Sequence, residues 1–485
     1  MPAKSSIYPF SMSLLPACVA MTQRGLRVDE ALRQERLAAL TSAAAEQRAA
    51  VEPLISEIAS KLSATRLYWK HKVCTSCRNG SKKRQTCAAC GGIGKFSAFV
   101  FNLGSEKQLK DVLYNGLKLP KRTRDGKLVS DEEALQSLVA LDTSGFVQSA
   151  LRFAKLDTMR GIYARLAPAP DAHIRTVFNP AGTYNGRFNS SEAFYVPYST
   201  NLQNLPNESE GRRDPLYAVR DCIIPEPGEV FLYADLSAAD QWSVAALTED
   251  EHYFDLLRQG RAHSATGAAI FSCPERDVVK GSPRYFVAKT GNHAVCFGEG
   301  AKTLMHSINK ESDITGFSIT LAGAKGALKA IHTFRPKIDN IWWKRVEENL
   351  RGPARLRNAW GRECQFYPRT DWQTGEPDDE TMRAMVAWEP ASNTVDTLNG
   401  APHTEPKRSC GMLGLFHREA GNGFRLLFQG HDSVLLGVDK HRMRHVARLA
   451  KSLLEREITV NGYTFVIPAE VFVGAENWGN LERGL

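Results

Sequence analysis

Two aspartates in predicted β structure constrain this chain more than any other feature: one ends an apolar strand, and the other lies in the turn of an apolar hairpin. Residues 230–234 (VFLYA) are β-branched and aromatic, which predicts a buried strand that ends at Asp235. Residues 425–437 predict two short strands joined by a turn that contains Asp432. Because Mg²⁺ takes oxygen ligands from rigid backbone, a strand-end carboxylate beside a hairpin carboxylate is typical of a two-metal phosphoryl-transfer site. Taken alone, each aspartate is better explained as a cap or turn residue, so the neighbouring sequence decides.

Composition places the chain among large soluble proteins. Its 485 residues carry 62 Lys and Arg against 53 Asp and Glu, a formal charge of +9, and 43% of them are hydrophobic. These values exclude a disordered tail and a small disulfide scaffold, and the length predicts about two to four domains. No apolar run reaches the roughly 18 residues of a membrane helix, and the N-terminus is too poor for a secretory signal. We therefore expect a soluble, intracellular protein that does not contact a membrane.

Four cysteines predict a metal site. They form two C-x-x-C pairs nine residues apart, Cys74 with Cys77 and Cys87 with Cys90. Each pair places two thiolates on one side of a metal, and two pairs complete a tetrahedral, structural Zn²⁺ site with no open position for water. Two disulfides are the alternative, and they fit an intracellular chain poorly.

Six sequence motifs, two of which contain Asp235 and Asp432, stand in order along the chain. They are 185–191 with 201–206 (NGRFNSS and NLQNLP), 233–240 (YADLSAAD), 289–298 (KTGNHAVCFG), 361–362 (GR) and 429–433 (QGHDS), followed by 473–478 (VGAENW). In this order they resemble the loop before motif A, motif A, motif B and motif C of family A DNA polymerases, the bacterial DNA polymerase I type. The resemblance covers about residues 10–485 except the cysteine segment.

The resemblance implies an α+β fold. This is the right-hand polymerase fold, with an antiparallel palm sheet, a helical thumb and helical fingers, plus a small zinc-ribbon-like insert in the thumb. The implied domains are the N-terminal part of the thumb (1–69), the four-cysteine zinc-binding insert (70–98), the remainder of the thumb (99–172), the palm with motif A (173–250), the fingers with motif B (251–350), and the palm with motif C and the C-terminus (351–485).

The resemblance also implies the site residues. Asp235 and Asp432 are implied to be catalytic and to hold two Mg²⁺. The residues implied to bind the incoming nucleotide are Lys289, His293, His263, Asp240, Phe297 and Arg284. The residues implied to line the primer–template DNA are Arg187, Asn201, Gln203, Asn204, Arg362, Gln429 and His431.

Helical geometry agrees with part of this assignment. At about 100° per residue, Lys289, His293 and Phe297 lie within about 80° of one another, so one helix face carries all three. Ser282 and Pro283 are a typical N-cap and first-turn proline for that helix. A lysine there can hold a triphosphate as a point charge. The alternatives are a surface or core role for His263 and loop capping for the Asn and Gln residues that are implied to line DNA.

Several positions depart from the family pattern. Ser433 stands where motif C usually has Glu, and Asp240 stands where motif A usually has a Glu that crowds the nucleotide 2′ position. Because Asp is one methylene shorter, we expect weaker exclusion of ribonucleotides. His293 replaces Phe or Tyr, and Phe297 replaces Tyr. The motif B arginine usually lies four residues before the lysine, whereas Arg284 lies five before Lys289, about 140° away unless the first turn is distorted.

We therefore predict a template-directed DNA polymerase that uses dNTPs. Because the chain starts where the family's thumb begins, we expect no 3′–5′ proofreading. Two alternatives stay open: an RNA polymerase or primase-like enzyme on a related palm, which Asp240 favours, and a catalytically silent primer–template binding protein, which Ser433 favours. The cysteine insert, with Lys82, Lys83 and Arg84, is predicted to grip duplex DNA or dock a processivity or replisome partner, or else only to staple a loop. The predicted location is the cytoplasm of a bacterial or phage-infected cell.

Overall fold

The structure is a computed structural model, and it describes residues 7–62, 69–74, 95–99, 101–124, 126–206, 214–370, 375–401 and 403–484. Its α-helices are α1 (Ile7–Ser13), α2 (Leu15–Arg24), α3 (Glu30–Leu62), α4 (Glu106–Asp111), α5 (Glu132–Gln136), α6 (Phe146–Arg165), α7 (Ala239–Leu247), α8 (Glu251–Arg258), α9 (Ala262–Phe271), α10 (Pro283–Cys296), α11 (Ala301–Lys310), α12 (Ser312–Thr315), α13 (Leu321–Phe334), α14 (Lys344–Arg351), α15 (Asp379–Asn399), α16 (Gly411–Arg418) and α17 (Met443–Leu454).

Its strands are β1 (Leu26–Val28), β2 (Trp69–Val73), β3 (Lys95–Phe99), β4 (Thr123–Arg124), β5 (Lys127–Leu128), β6 (His173–Ile174), β7 (Val177–Asn179), β8 (Asn189–Ser191), β9 (Ile223–Ile224), β10 (Glu229–Leu236), β11 (Arg355–Arg357), β12 (Glu363–Gln365), β13 (Phe424–Gln429), β14 (Ser433–Asp439), β15 (Glu457–Val460), β16 (Tyr463–Val466), β17 (Ala469–Gly474) and β18 (Glu482–Arg483). Helices and antiparallel strands together confirm the predicted α+β class.

The chain forms two compact units, one of residues 34–164 and one of residues 1–33 and 165–485. The predicted thumb, 1–69 and 99–172, has different limits, because the smaller unit begins within α3 and ends within α6. The names thumb, palm and fingers stay predictions.

The smaller unit is organised around the long helix α3. The first turn of this helix is capped, because Asp29 Oδ1 accepts a hydrogen bond from Leu32 N at 3.0 Å. Val51 and Ile55 of α3 pack in one apolar cluster with Leu113 and Phe146. A helix of this length is stabilised mainly by such packing rather than by propensity.

The larger unit contains a five-stranded antiparallel sheet in the order β13-β14-β10-β17-β18. The central strand β10 is buried along most of its length, as its continuous apolar sequence predicts. Its register sets Asp235 opposite Ser433 of β14 on one side and Glu470 of β17 on the other. Because side chains directly opposite one another share a face, these three positions form one row across the sheet.

Helix α10 packs in an apolar cluster that also includes α11 and α13. Val287 and Ala294 of α10 lie there with Leu304, Ile308 and Ala324. The N-terminus of α10 is capped as predicted, because Ser282 Oγ accepts a hydrogen bond from Tyr285 N at 3.2 Å.

The predicted zinc site lies mostly outside the described residues, which include Cys74 but not Cys77, Cys87 or Cys90. Cys74 is buried and directly follows β2. Strands β2 and β3 pair antiparallel, with Val73 opposite Lys95, so they bring the two ends of the cysteine segment together. Within the ranges given above, no helix is long and apolar enough to cross a membrane.

Candidate active site

The two predicted catalytic aspartates come together at one end of the five-stranded sheet. Asp235 is the penultimate residue of β10, and Asp432 lies in the turn between β13 and β14. Leu236 N donates to Asp432 O at 2.9 Å, which fixes this turn against the end of β10. Burial and the nearby Asp432 carboxylate raise the pKa of Asp235, and burial with Asp240 raises the pKa of Asp432 to about 6. The fold therefore holds like charges together at a cost, which is a feature of functional sites.

The turn that carries Asp432 is tightly bonded. Gly430 N donates to Ser433 O at 2.8 Å, and Asp432 N donates to Gly430 O at 2.7 Å. His431 takes a φ of +60°, which is uncommon for a residue with a side chain. Ser433 Oγ donates to Gly430 O at 3.0 Å and accepts from Tyr233 Oη at 2.7 Å. The Ser433 side chain is therefore part of the support for the turn.

Lys289 of α10 is close enough to this acidic end of the sheet for its charge to act on Asp235. Burial raises the pKa of Asp235, and the Lys289 charge lowers it by a smaller amount. For His263 the two effects act in the same direction: burial and the Lys289 charge together lower its pKa to about 4. His263 Nδ1 lies 3.1 Å from Asn292 Nδ2, and the His263 and Tyr285 rings meet edge to face at 5.4 Å. The structure thus brings Lys289 and His263 together, as the resemblance implied.

Asp240, in the first turn of α7, has a hydroxyl group and a guanidinium group as neighbours. Thr394 Oγ1 of α15 donates a short hydrogen bond to Asp240 Oδ1, and Arg187 Nη2 lies 3.6 Å from Asp240 Oδ2. The Arg187 guanidinium also lies over the ring of Phe297, at 5.5 Å from its centroid. The rings of His293 and Phe297 are 4.5 Å apart, so these two predicted nucleotide contacts form a single aromatic surface. Phe297 follows the last residue of α10 rather than lying within it.

Five of the seven residues predicted to line primer–template DNA surround one polar cavity of about 370 Å³. Loop residues Asn201, Gln203 and Asn204 line it together with Arg187 and His431. Burial and the Arg187 charge lower the pKa of His431 to about 4, so its ring is neutral at neutral pH. Its Nδ1 is buried and has no hydrogen-bond partner among the described residues. A cavity of amide, guanidinium and imidazole groups is suited to a ligand with many hydrogen-bonding atoms.

The other two predicted DNA-lining residues are placed differently. Gln429 is 0% exposed, and its Oε1 accepts from Gln203 Nε2 at 3.1 Å. Arg362 donates through Nε and Nη2 to the buried Asp396, each at 2.8 Å. Both side chains are thus engaged by neighbouring parts of the fold, and their place among the DNA-lining residues stays a prediction.

The structure also separates Arg284 from Lys289. Because α10 starts regularly, with Ser282 as its cap, the distortion that would rotate Arg284 toward Lys289 does not occur in this described helix. The Arg284 guanidinium instead lies 5.9 Å from the ring centroid of Phe271. The nucleotide-binding role of Arg284 therefore gains no support from this arrangement and stays a prediction.

Sequence reasoning missed the polar residues of α15. Thr394 supports Asp240, Asp396 holds Arg362, and Asn399 Oδ1 accepts from Gln429 Nε2 at 3.1 Å. A signal exists, because the helix carries the run SNTVDTLN at 392–399. Ser, Thr, Asn and Asp compete with the helix backbone for hydrogen bonds, so such a run inside a long helix indicates side chains engaged elsewhere.

Asp235 and Asp432 fit the divalent cations that the sequence predicts. Within the described part of the chain, no group of three or more His, Cys, Asp or Glu side chains is placed to hold a metal ion. Mg²⁺ is commonly bound by only one or two carboxylates together with substrate phosphates, so this pair is a sufficient protein contribution. A cation beside them would also relieve the repulsion that raises their pKa values.

Comparison with known proteins gives a consistent result. The profile of DNA polymerase family A matches residues 83–383. The chain is 28% identical over 398 residues to the thermostable DNA polymerase I of Thermus aquaticus, covering 80% of this chain and 42% of that protein. It is 26% identical over 369 residues to DNA polymerase I of Geobacillus stearothermophilus, covering 74% and 38%. The chain therefore spans less than half the length of these relatives.

The fold has a solved counterpart. The polymerase domain of Pol1 from M. smegmatis, determined in complex with DNA primer–template and dNTP, superimposes with a TM-score of 0.71 at 19% identity. The match covers 96% of this chain and 69% of that one. At this level of identity the likeness shows a shared fold.

Proposed function

Because this chain belongs to DNA polymerase family A, we propose that it is a template-directed DNA polymerase, which extends a primer by nucleotidyl transfer from a dNTP. In this reaction the primer 3′-hydroxyl attacks the α-phosphate in line and pyrophosphate leaves. One observation carries the proposal: Asp235 and Asp432 lie together at one end of the sheet, within reach of the Lys289 charge. The polar cavity beside them supports a nucleic-acid substrate.

The aspartates are proposed to hold two Mg²⁺ ions, which when bound polarise the reacting phosphate and lower the pKa of the attacking hydroxyl. The protein's own contribution is placement. A backbone hydrogen bond joins the Asp432 turn to the end of β10, and the hydrogen-bonded side chains of Ser433 and Tyr233 also support this turn. Carboxylates fixed in this way keep their geometry as charge develops, which is the main requirement of phosphoryl transfer.

Lys289, His263, His293 and Phe297 are proposed to bind the dNTP. Lys289 neutralises triphosphate charge, and the neutral His263 ring offers hydrogen bonding beside it without adding to the local charge. The paired rings of His293 and Phe297 offer a flat surface for the base or sugar.

Arg187, Asn201, Gln203, Asn204 and His431 are proposed to contact primer–template DNA. Amide and guanidinium groups can hydrogen-bond sugars, phosphates and base edges without selecting a sequence, as a general polymerase requires. Gln429 and Arg362 are proposed to belong to the same surface, where Gln429 accepts a hydrogen bond from Gln203.

Primer extension tests the proposal. A short DNA template, Mg²⁺ and either dNTPs or rNTPs are incubated with the protein, the Asp235→Asn variant, or Asp255→Asn as a control at an exposed site of α8. We expect template-dependent dNTP addition that only Asp235→Asn abolishes. Strong preference for rNTPs would favour the RNA-synthesis alternative. Primer–template binding without extension by any of the proteins would favour the silent binding protein.

Two finer predictions remain part of the proposal. The absence of proofreading is tested by asking whether the pure protein shortens a single-stranded primer in Mg²⁺, which we expect it not to do. The cysteine insert is proposed to hold one structural Zn²⁺ and to contact DNA or a replication partner. Cys87→Ser is expected to lose zinc, and an unchanged number of nucleotides added per binding event would instead indicate a simple loop staple.

A further inference from the structure

The loop of residues 192–199, called here the aromatic loop, exposes three large rings to solvent. Phe194 is 98% exposed, Tyr195 64% and Tyr198 51%. Phe194 and Tyr195 occupy the tip, where their rings meet edge to face at 5.3 Å. Tight turns are usually made by Gly, Asn, Asp, Ser or Pro, so this tip is not explained by turn formation. Clustered exposed aromatic residues mark interaction surfaces.

The backbone of the aromatic loop is held by its own hydrogen bonds. Val196 N donates to Ala193 O at 3.0 Å, which closes the turn beneath the two rings. Ser199 Oγ accepts from Ala193 N at 3.0 Å, and Arg175 N donates to Tyr198 O at 3.0 Å. The rings are therefore presented from a defined backbone, which reduces the entropy that binding would cost.

Both ends of the aromatic loop join the wall of the polar cavity. Ser190, just before the loop, donates through Oγ to Asn201 Oδ1 at 2.6 Å, just after it. The same Ser190 Oγ accepts from Gln203 N at 3.2 Å. Ser190, Asn201 and Gln203 all line the cavity. The aromatic loop thus extends from the surface proposed to contact primer–template DNA and continues it with apolar rings.

We propose that the aromatic loop binds an unpaired nucleobase of the primer–template by stacking. This inference rests on the proposed function and adds a contact specific to the single-stranded part of the substrate. Every base has a flat face that an aromatic side chain can cover, whereas bases within a duplex already cover one another. The adjoining wall of amide groups and Arg187 binds the polar backbone of the same strand.

The test compares two DNA substrates that share one duplex, one blunt and one with a single-stranded template overhang. The Phe194→Ala/Tyr195→Ala double variant removes only exposed rings, so it is expected to fold normally. Tyr367→Ala, at a site that is 83% exposed elsewhere, is the matched control. We expect the double variant to bind the overhang substrate about 5- to 100-fold more weakly, the range of base–aromatic stacking, and the blunt duplex unchanged. The control binds both substrates as the unaltered protein does.

A second measurement identifies the stacked base. A fluorescent 2-aminopurine is placed at each overhang position in turn, and we expect the protein to quench one position and the double variant to leave it bright. Equal affinity of both proteins for the overhang substrate overturns the inference, as does an equal loss on the blunt duplex. If the variant instead loses self-association in light scattering, a second copy is the occupant and the inference is overturned. If the unaltered protein binds neither DNA, the proposed function itself fails.

Discussion

Tyr233 Oη donates a hydrogen bond of 2.7 Å to Ser433 Oγ, so the residue that stands in place of the family's motif C glutamate is fully engaged inside the fold. Ser433 Oγ in turn donates a hydrogen bond to Gly430 O, which belongs to the turn that carries Asp432. A side chain with this role supports the proposed catalytic carboxylate of Asp432. The serine at position 433 therefore has a structural role of its own in this fold.

The first prediction concerns this support. Ser433→Ala and Tyr233→Phe should each lower kcat for nucleotide addition several-fold, because each loosens the Asp432 turn. Their double variant should lose little more than either single one, with a coupling of about 0.5–1.5 kcal/mol in a double-mutant cycle of unfolding free energies. Independent, additive losses would contradict the arrangement.

Restoring the family residue should not help. Ser433→Glu should lower activity and stability, because a carboxylate would be buried beside Asp235 without a cation partner in the sheet. Ser452→Glu, on the exposed side of α17, is the control and should behave like the unaltered protein. A gain in activity from Ser433→Glu would show that the position has simply lost a ligand.

The second prediction concerns the acidic pair. In EDTA, Asp432→Asn should melt at a temperature about 2–5 °C higher than the unaltered protein, because it removes a like charge that lies close to Asp235. Adding Mg²⁺ should raise the melting temperature of the unaltered protein and have little effect on that of the variant. A variant that melts lower than the parent in EDTA would mean that the two carboxylates do not repel in the fold.

The third prediction concerns sugar choice at Asp240, which Thr394 and Arg187 hold in place. Asp240→Glu should raise the ratio of kcat/KM for dNTP over rNTP several-fold, because the added methylene extends the carboxylate. Asp240→Ala should lower the ratio. Asp255→Glu, the same substitution at an exposed site of α8, is the control and should leave the ratio unchanged. If both Asp240 variants leave the ratio unchanged, Asp240 does not face the sugar.

The fourth prediction concerns acid stability. The partly buried His263 has a pKa of about 4, below its ordinary value of 6.5, so the unfolded chain binds a proton before the folded one does. Stability contributed by neutral His263 is therefore complete above pH 6.5 and falls as the pH drops toward 4. The melting temperature of His263→Asn should decline less steeply from about pH 7 to about pH 5 than that of His441→Asn, a control at an exposed site. Parallel declines would contradict this.

The fifth prediction concerns buried Gln429, which holds Gln203 and also bonds Asn399. Gln429→Ala should weaken primer–template binding about 5- to 10-fold, since it leaves buried partners unsatisfied at a cost of about 1–3 kcal/mol. Combining it with Gln203→Ala should add little. Gln259→Ala, on the surface after α8, should leave binding unchanged.

The sequence predicted the parts of this site that local patterns determine. The strand ending at Asp235, the hairpin turn around Asp432 and the capped start of α10 each follow from a short local pattern: a continuous apolar run, turn residues and an N-cap. The resemblance then brought distant motifs together correctly.

Contacts that depend on register could not be predicted. Tyr233 and Ser433 are 200 positions apart, and only the pairing of β10 with β14 sets their side chains side by side. The bonds of Gln429 and Arg362 to polar residues of α15 could not be predicted either, because they depend on how the helices pack. The role of Arg284 depended on whether one helical turn was distorted, which a sequence pattern does not specify.

The most direct test of the account is single-turnover incorporation of one nucleotide on a preformed complex with primer–template DNA. The rate of chemistry and the Kd for DNA are measured for the unaltered protein, Asp235→Asn and Asp432→Asn. We predict that each variant binds DNA as the parent does but adds the template-complementary dNTP roughly 10³-fold more slowly. Undiminished incorporation by either variant would contradict the assignment of these aspartates as the catalytic pair.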